Sequence, residues 1–193
     1  KAWEKIAAQQ WNVLLVFFIS VSPLMVASCA VEGWAMIKFG AEKGNLGRLI
    51  RLDNNQIITF EIIQLGLGLF LLFVGAKFIQ WTCEGFHNET TYKQAFTLTA
   101  YGLTPLFWMR FLDGFPAIPS WLCWGLGALG ILIALYHGVA LVIQPNTSVG
   151  FGMYLLASMT LIAISGLCHF LALGVAYEKF NINLFVGYFY FPG

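Results

Sequence analysis

The stretch LTAYGLTPLFWMRFLDGF, residues 98–115, contains the conflict that decides the fold. It is apolar enough to lie in a membrane, but Thr104 and Pro105 interrupt it, and Arg110 and Asp113 follow closely. A proline inside a helix removes a backbone hydrogen bond, and a charge inside a bilayer is costly unless it has a partner. The stretch therefore predicts a membrane helix that is kinked at Pro105 and whose charges pair with groups on other helices.

The composition of the whole chain indicates an integral membrane protein. Of the 193 residues, 59% are hydrophobic and only 10% are charged, whereas soluble domains are about 25% charged. The net charge of +1 gives no electrostatic reason to expect a nucleic-acid partner. The cysteines lack a metal-binding spacing and most of them lie in apolar runs, so neither a metal site nor a disulfide framework is expected of Cys29, Cys83, Cys123 and Cys168.

Five windows are long enough and apolar enough to cross a hydrocarbon core, which needs about 20 helical residues. They cover residues 13–37, 57–80, 94–112, 118–143 and 149–177. The connections are short and rich in Gly, Pro and Asn, so residues 1–193 are predicted to form a single all-α membrane domain, a bundle of five transmembrane helices. Two further pieces are predicted to lie at the membrane interface, the N-terminal segment KAWEKIAAQQW (1–11) and the amphipathic LGRLIRL (46–52) between the first two spans.

Ionisable residues lie near one end of four of these windows. At about 1.5 Å per residue, Glu32 and Glu61 lie roughly 6–8 Å below one face, and His169 lies roughly 12 Å below it. Arg110 and Asp113 close the third window on the same side. The sequence therefore predicts an intramembrane polar cluster of Glu32, Glu61, Arg110, Asp113 and His169, with three interpretations left open: paired interfacial residues, a pocket that handles protons or cations, or a metal site that no HxxE or HxxxH spacing supports.

Two kinks and a set of close helix contacts are also expected. Ser22-Pro23 and Thr104-Pro105 place prolines at positions 23 and 105 within spans, either as packing devices or as hinges. Close helix–helix contact is predicted at five glycines, Gly66, Gly68, Gly125, Gly127 and Gly130. The last three form GLGALG, which matches a nucleotide-binding pattern but follows no strand. His137 and His169 lie at depths too different for both to bind one haem iron.

The segments YKQAFTLTAYGLTPLFWMRFL (92–112) and WGLGALGILIALYHGVALVI (124–143), joined by a short proline turn, resemble the Yip1 family of five-span membrane proteins. The most specific pieces are YGLTP (101–105) and YHG (136–138), and AWEKIAAQQW (2–11) also fits the bacterial members. The resemblance implies a bacterial cytoplasmic (inner) membrane and an N-terminus in the cytoplasm. The lysine and arginine count, four against six, favours the opposite orientation.

What the resemblance implies about function is a non-enzymatic scaffold or assembly protein, a candidate accessory subunit of a larger membrane complex. Its expected partners are membrane lipids and other membrane subunits or further copies of itself, with bound lipid but no cofactor. The apolar, aromatic tail FNINLFVGYFYFPG (180–193) is expected to lie at the interface or against a partner subunit. The alternative is a small transporter or channel that uses Glu32, Glu61 and His169. No motif of an intramembrane enzyme is present.

Overall fold

The structure is a computed structural model that describes residues 2–9, 11–40, 42–43, 50–51, 53–115 and 117–176. Within these residues, four helices are long enough and apolar enough to cross a membrane. Their exposed side chains include large apolar groups such as Phe18, Ile133 and Phe151, each more than 60% exposed. An apolar surface of this kind is normally covered by lipid or by another protein. The helices of the described part are α1 (Ala2–Gln9), α2 (Val13–Phe39), α3 (Asn54–Gly85), α4 (Tyr92–Gly102), α5 (Thr104–Asp113), α6 (Ser120–Ile143) and α7 (Gly150–Ala176).

The third predicted window, residues 94–112, is two consecutive helices, α4 and α5, with a turn at Leu103. Pro105 lies in the first turn of α5, where a missing backbone N–H costs nothing. The Thr104 hydroxyl donates a hydrogen bond to the carbonyl of Ala100 across the break, at 3.2 Å. The kink predicted at Pro105 is therefore a change from one helix to the next.

Pro23 lies just after a π-helical segment of α2, Val16–Val21. A proline inside a helix clashes with the carbonyl four residues earlier and cannot donate to it. A local change to π-helix geometry can re-satisfy the backbone groups that a proline frees in a membrane helix. The irregularity predicted near Pro23 is thus a widened turn on its N-terminal side.

Helix α4 occupies the middle of one half of the bundle. It packs against α2, α3 and α6, and every residue from Ala95 to Ala100 is buried. After Leu103 the chain leaves this central position, because α5 packs mainly against α2 and α6. In this second half, α2, α3, α7, α6 and α5 follow one another around a ring of packed neighbours. Because of the break at Leu103, α5 lies in this ring of helices instead of continuing the central position of α4.

Two small elements lie outside the long helices. Helix α1 buries none of its own residues fully, packs on the C-terminal end of α6, and places the Trp3 ring edge-on to Tyr101 with centroids 6.1 Å apart. Between α2 and α3, residues Glu42–Lys43 (β1) pair antiparallel with Ile50–Arg51 (β2). Most of the predicted amphipathic piece, residues 46–49 and 52, and the tail 180–193 lie outside the described residues.

Three of the five predicted contact glycines lie against another helix. A Cβ atom on Gly68 would lie 2.8 Å from Met25 Cε, one on Gly127 would lie 2.7 Å from Leu106 Cδ1, and one on Gly130 would lie 2.4 Å from Pro105 Cβ. At Gly66 and Gly125 a Cβ would meet nothing within 4 Å, so the structure of the single chain shows no helix against these two glycines. Spacing identified the glycine-rich helices but not the direction in which each glycine faces.

Candidate polar site at the Arg110 end

Arg110 joins three helices through its guanidinium group. Its Nε and Nη2 atoms donate to Oε2 of Glu32 at 3.2 and 3.1 Å, and Nη2 also lies 3.3 Å from Oε2 of Glu61. These side chains are withdrawn from the surface, with exposed fractions of 12% for Arg110, 0% for Glu32 and 13% for Glu61. Such charge-assisted hydrogen bonds are roughly twice as strong as neutral ones. The network of Glu32, Glu61 and Arg110 thus fixes α2, α3 and α5 to one another.

Two neutral side chains complete the network. Gln64 donates from Nε2 to the other oxygen of Glu32, Oε1, at 3.1 Å, and the thiol of Cys29 lies beside the Arg110 guanidinium. Glu61 and Gln64 are three residues apart on α3, as are Cys29 and Glu32 on α2, so each pair presents its side chains on one helix face. Both oxygens of the fully buried Glu32 carboxylate therefore receive hydrogen bonds.

Two glycines make the close approach of these helices possible. A Cβ atom on Gly33 would lie 3.1 Å from Glu61 Cγ, so the absence of a side chain lets Glu61 lie across α2. A Cβ on Gly114, just after α5, would lie 2.8 Å from the backbone oxygen of Glu32. Because a backbone atom cannot move aside as a side-chain end can, Gly114 sets how closely the end of α5 approaches α2.

Asp113 joins the end of α5 to the start of α6. Its Oδ2 accepts a hydrogen bond from Oγ of Ser120 at 3.0 Å, and the residue is 9% exposed. Ser120 is the first residue of α6, where the helix dipole favours a nearby negative charge. Asp113 therefore stabilises the turn between the two helices.

A cavity of about 60 Å³ lies in the centre vacated by the break at Leu103. Its walls come from α3, α5, α6 and α7, and a volume of this size holds several water molecules. The polar lining groups of Asp113, Ser120, Arg110 and His169 lie toward the Arg110 end of the bundle. The lining also includes the apolar side chains of Leu67, Leu71, Leu106 and Phe107. The cavity wall therefore combines polar groups with apolar ones.

His169 lies on the wall formed by α6 and α7. Its ring stacks on Trp124 with centroids 6.3 Å apart and an interplanar angle of 20°. The Trp124 indole donates from Nε1 to Ser165 Oγ at 3.3 Å, and Ser165 in turn donates to the carbonyl of Ile162. The imidazole is thus held in orientation by its neighbours while it lines the cavity.

The structure brings the five sequence-predicted polar residues together in two groups. Arg110 is in direct contact with Glu32 and Glu61. Asp113 and His169 line the same cavity as Arg110. Sequence reasoning missed Cys29, Gln64 and Ser120. Their spacing from the acids, three residues on α2 and on α3, was the available signal for the first two. In the part of the chain that the structure describes, no group of three or more His, Cys, Asp or Glu residues is arranged to hold a metal ion.

The fold and the site define a class: an apolar helical bundle suited to a membrane, with an internal ion network near one surface. The Yip1 domain model matches residues 1–176. The chain therefore belongs to the Yip1 family, and the resemblance seen in its sequence is confirmed. No curated protein and no solved structure matches it.

Proposed function

We propose that this protein is a non-enzymatic membrane scaffold of the Yip1 type, which acts by presenting a fixed helical surface to other membrane proteins or to further copies of itself. The observation that carries the proposal is the Arg110 network. Glu32 and Glu61, the acids most suited to moving ions or protons, are both bonded to Arg110 on a third helix. Groups held in this way stabilise a packing arrangement, which is what a scaffold requires.

The cavity supports the same choice over a transporter or channel. A pathway that used Glu32, Glu61 and His169 would need a continuous space that reaches both glutamates. The cavity reaches His169, but neither Glu32 nor Glu61 is part of its lining. Its 60 Å³ is also small against the 300–1,000 Å³ typical of ligand pockets.

We further propose that the chain crosses the membrane five times, with α4 and α5 together forming the third crossing. They run antiparallel to α6 along its length. Gln94 at the start of α4 donates to the carbonyl of Val142 at the end of α6 (3.4 Å), and Asp113 at the end of α5 accepts from Ser120 at its start. The two helices and Leu103 would extend about 33 Å at 1.5 Å per residue, enough for a hydrocarbon core.

Purification in its native lipid, with chemical cross-linking before extraction, tests the scaffold proposal. We expect cross-links to reproducible membrane partners or to a second copy, and recovery of a cross-link-free monomer would contradict the proposal. A second measurement addresses the transporter alternative. Liposomes that contain the protein and a pH-sensitive dye should leak protons or monovalent cations no faster than empty liposomes, and a leak abolished by Glu61→Gln would favour transport instead.

A further inference from the structure

A second cavity, of about 400 Å³, opens beneath α1 at the opposite end of the bundle. Its walls are α1, the first turns of α4 and the end of α6, and it shares no lining residue with the Arg110 cavity. Its volume falls in the range of ordinary ligand sites, 300–1,000 Å³. The space is therefore large enough to hold a molecule rather than a few waters.

The charge of the lining is that of a single lysine. Lys93 is half-buried on α4, and no carboxylate is among the lining residues. In the part of the chain that the structure describes, Lys93 forms no ion pair, whereas Arg110 is paired with Glu32 and Glu61. An ammonium group in a concave, partly apolar wall attracts an anion more strongly than one on an open surface.

The other polar groups of the cavity add hydrogen-bond donors. Gln94 and Gln144 each use Nε2 to donate to a nearby carbonyl, at 3.4 Å in both cases. A side-chain amide carries two N–H groups, so each has a second one available. Together with the three N–H groups of Lys93, the wall offers donors of the kind that phosphate oxygens accept.

The rest of the wall is formed by apolar side chains and two threonines, and the cavity lies where the membrane surface must be. Ile6 and Ala7 of α1 and Leu141 and Val142 of α6 line it beside the polar groups. Helix α1 is amphipathic, as is typical of helices that lie in the headgroup layer. A wall that is half donor and half apolar fits a phosphate attached to a lipid better than a free phosphate ion.

We propose that this cavity binds the phosphate head group of an anionic phospholipid, with Lys93 as its cation. Basic pockets beside membrane helices are a known form of lipid recognition. The lipid would fill the space between α1 and the bundle and thereby hold α1 against the membrane surface. This inference depends on the membrane location of the protein and is independent of the scaffold role.

The test is native mass spectrometry of the full chain in detergent, with phosphatidylglycerol titrated against phosphatidylcholine. We expect a preference for phosphatidylglycerol that Lys93→Gln weakens about fivefold, the effect of one lysine near an anionic surface. Lys93→Arg should retain the preference, because it retains the charge. The matched control is Lys77→Gln, which removes the same charge from α3 where Lys77 donates to Gln80 and lies over Trp81.

Three results would overturn the proposal: equal binding of both lipids, equal weakening by Lys93→Gln and Lys77→Gln, or loss of the preference in Lys93→Arg. Competition with inorganic phosphate distinguishes a lipid site from a site for a soluble anion. If the cavity selects a lipid, millimolar phosphate should leave the phosphatidylglycerol preference unchanged. Displacement of the lipid by phosphate would instead assign the site to a soluble anion and contradict the lipid proposal.

Discussion

The guanidinium group of Arg110 is the point on which two carboxylates from two other helices converge. A buried ion pair adds little net stability compared with apolar packing, but removal of one partner leaves an uncompensated charge and is strongly destabilising. Glu32, which is fully buried, is the residue that would be left without this contact. The importance of Arg110 is therefore seen best when it alone is removed.

We expect Arg110→Ala to lower the free energy of unfolding by about 3–5 kcal/mol, because the buried carboxyl group of Glu32 then lacks the cation that compensates it. The measurement is reversible unfolding in detergent micelles, followed by circular dichroism. The double variant Arg110→Ala with Glu32→Gln should recover part of the loss. Lys38→Ala is the control, since Lys38 lies over the exposed ring of Trp34 rather than inside the bundle. A loss below about 1 kcal/mol for Arg110→Ala, the size of a surface ion pair, would contradict this account.

Depth along a helix could be predicted from sequence, but rotation about the helix axis could not. Counting residues from the window ends placed Glu32, Glu61 and Arg110 at similar levels, and in the structure these three meet. The contributions of Cys29 and Gln64 depend on which face of each helix turns inward. That direction follows from contacts between helices distant in sequence, such as the 78 residues between Glu32 and Arg110.

At the scale of the elements, the contact between α5 and α6 depends on a glycine beneath a proline. A Cβ on Gly130 would lie 2.4 Å from Pro105 Cβ, and the proline ring is too rigid to move aside. Gly125, on the same helix, has no such neighbour. The two positions therefore form a matched pair in which only the surroundings differ.

We expect Gly130→Ala to destabilise the protein by about 1–3 kcal/mol through overpacking, and Gly125→Ala to leave it unchanged or slightly more stable. Thermal unfolding in identical detergent micelles compares them directly. If both variants lost stability equally, helix flexibility rather than the α5–α6 contact would be the cause, and the packing explanation would be wrong.

The helices were predicted with different success for a physical reason. Long apolar windows at 13–37, 118–143 and 149–177 end within a few residues of α2, α6 and α7, because lipid exposure requires a continuous apolar run. The third window is shorter and contains Thr and Gly. At Leu103 the chain changes the helices against which it packs, and this change depends on the tertiary packing of α4 and α5. Thr104-Pro105 indicated that a break exists but not that a cavity would replace the helix.

At the scale of the whole molecule, the number of crossings sets which loops share a side of the membrane. With five crossings, the loop between α3 and α4 and the loop between α6 and α7 lie on one side, and the loop between α5 and α6 lies on the other. If α4 and α5 did not cross, the α3–α4 loop and the α5–α6 loop would lie on the same side of the membrane. The α6–α7 loop would then lie on the opposite side.

Single introduced cysteines distinguish these arrangements. Glu89→Cys, Ala117→Cys and Thr147→Cys are at exposed positions in the three loops, while the four native cysteines are buried. In sealed vesicles we expect a membrane-impermeant maleimide to react with positions 89 and 147 from one side and with 117 only from the other. Labelling of positions 89 and 117 from the same side would reject the five-crossing arrangement. Vesicles opened with detergent control for accessibility.

The Arg110 network also has a consequence for biosynthesis. A chain is made from its N-terminus, so Glu32 and Glu61 leave the ribosome before Arg110, which follows Glu61 by 49 residues. During that interval α2 and α3 carry two acids toward the bilayer without the guanidinium that later joins them. Membrane insertion of α2 and α3 is therefore expected to be reversible until α5 is inserted beside them.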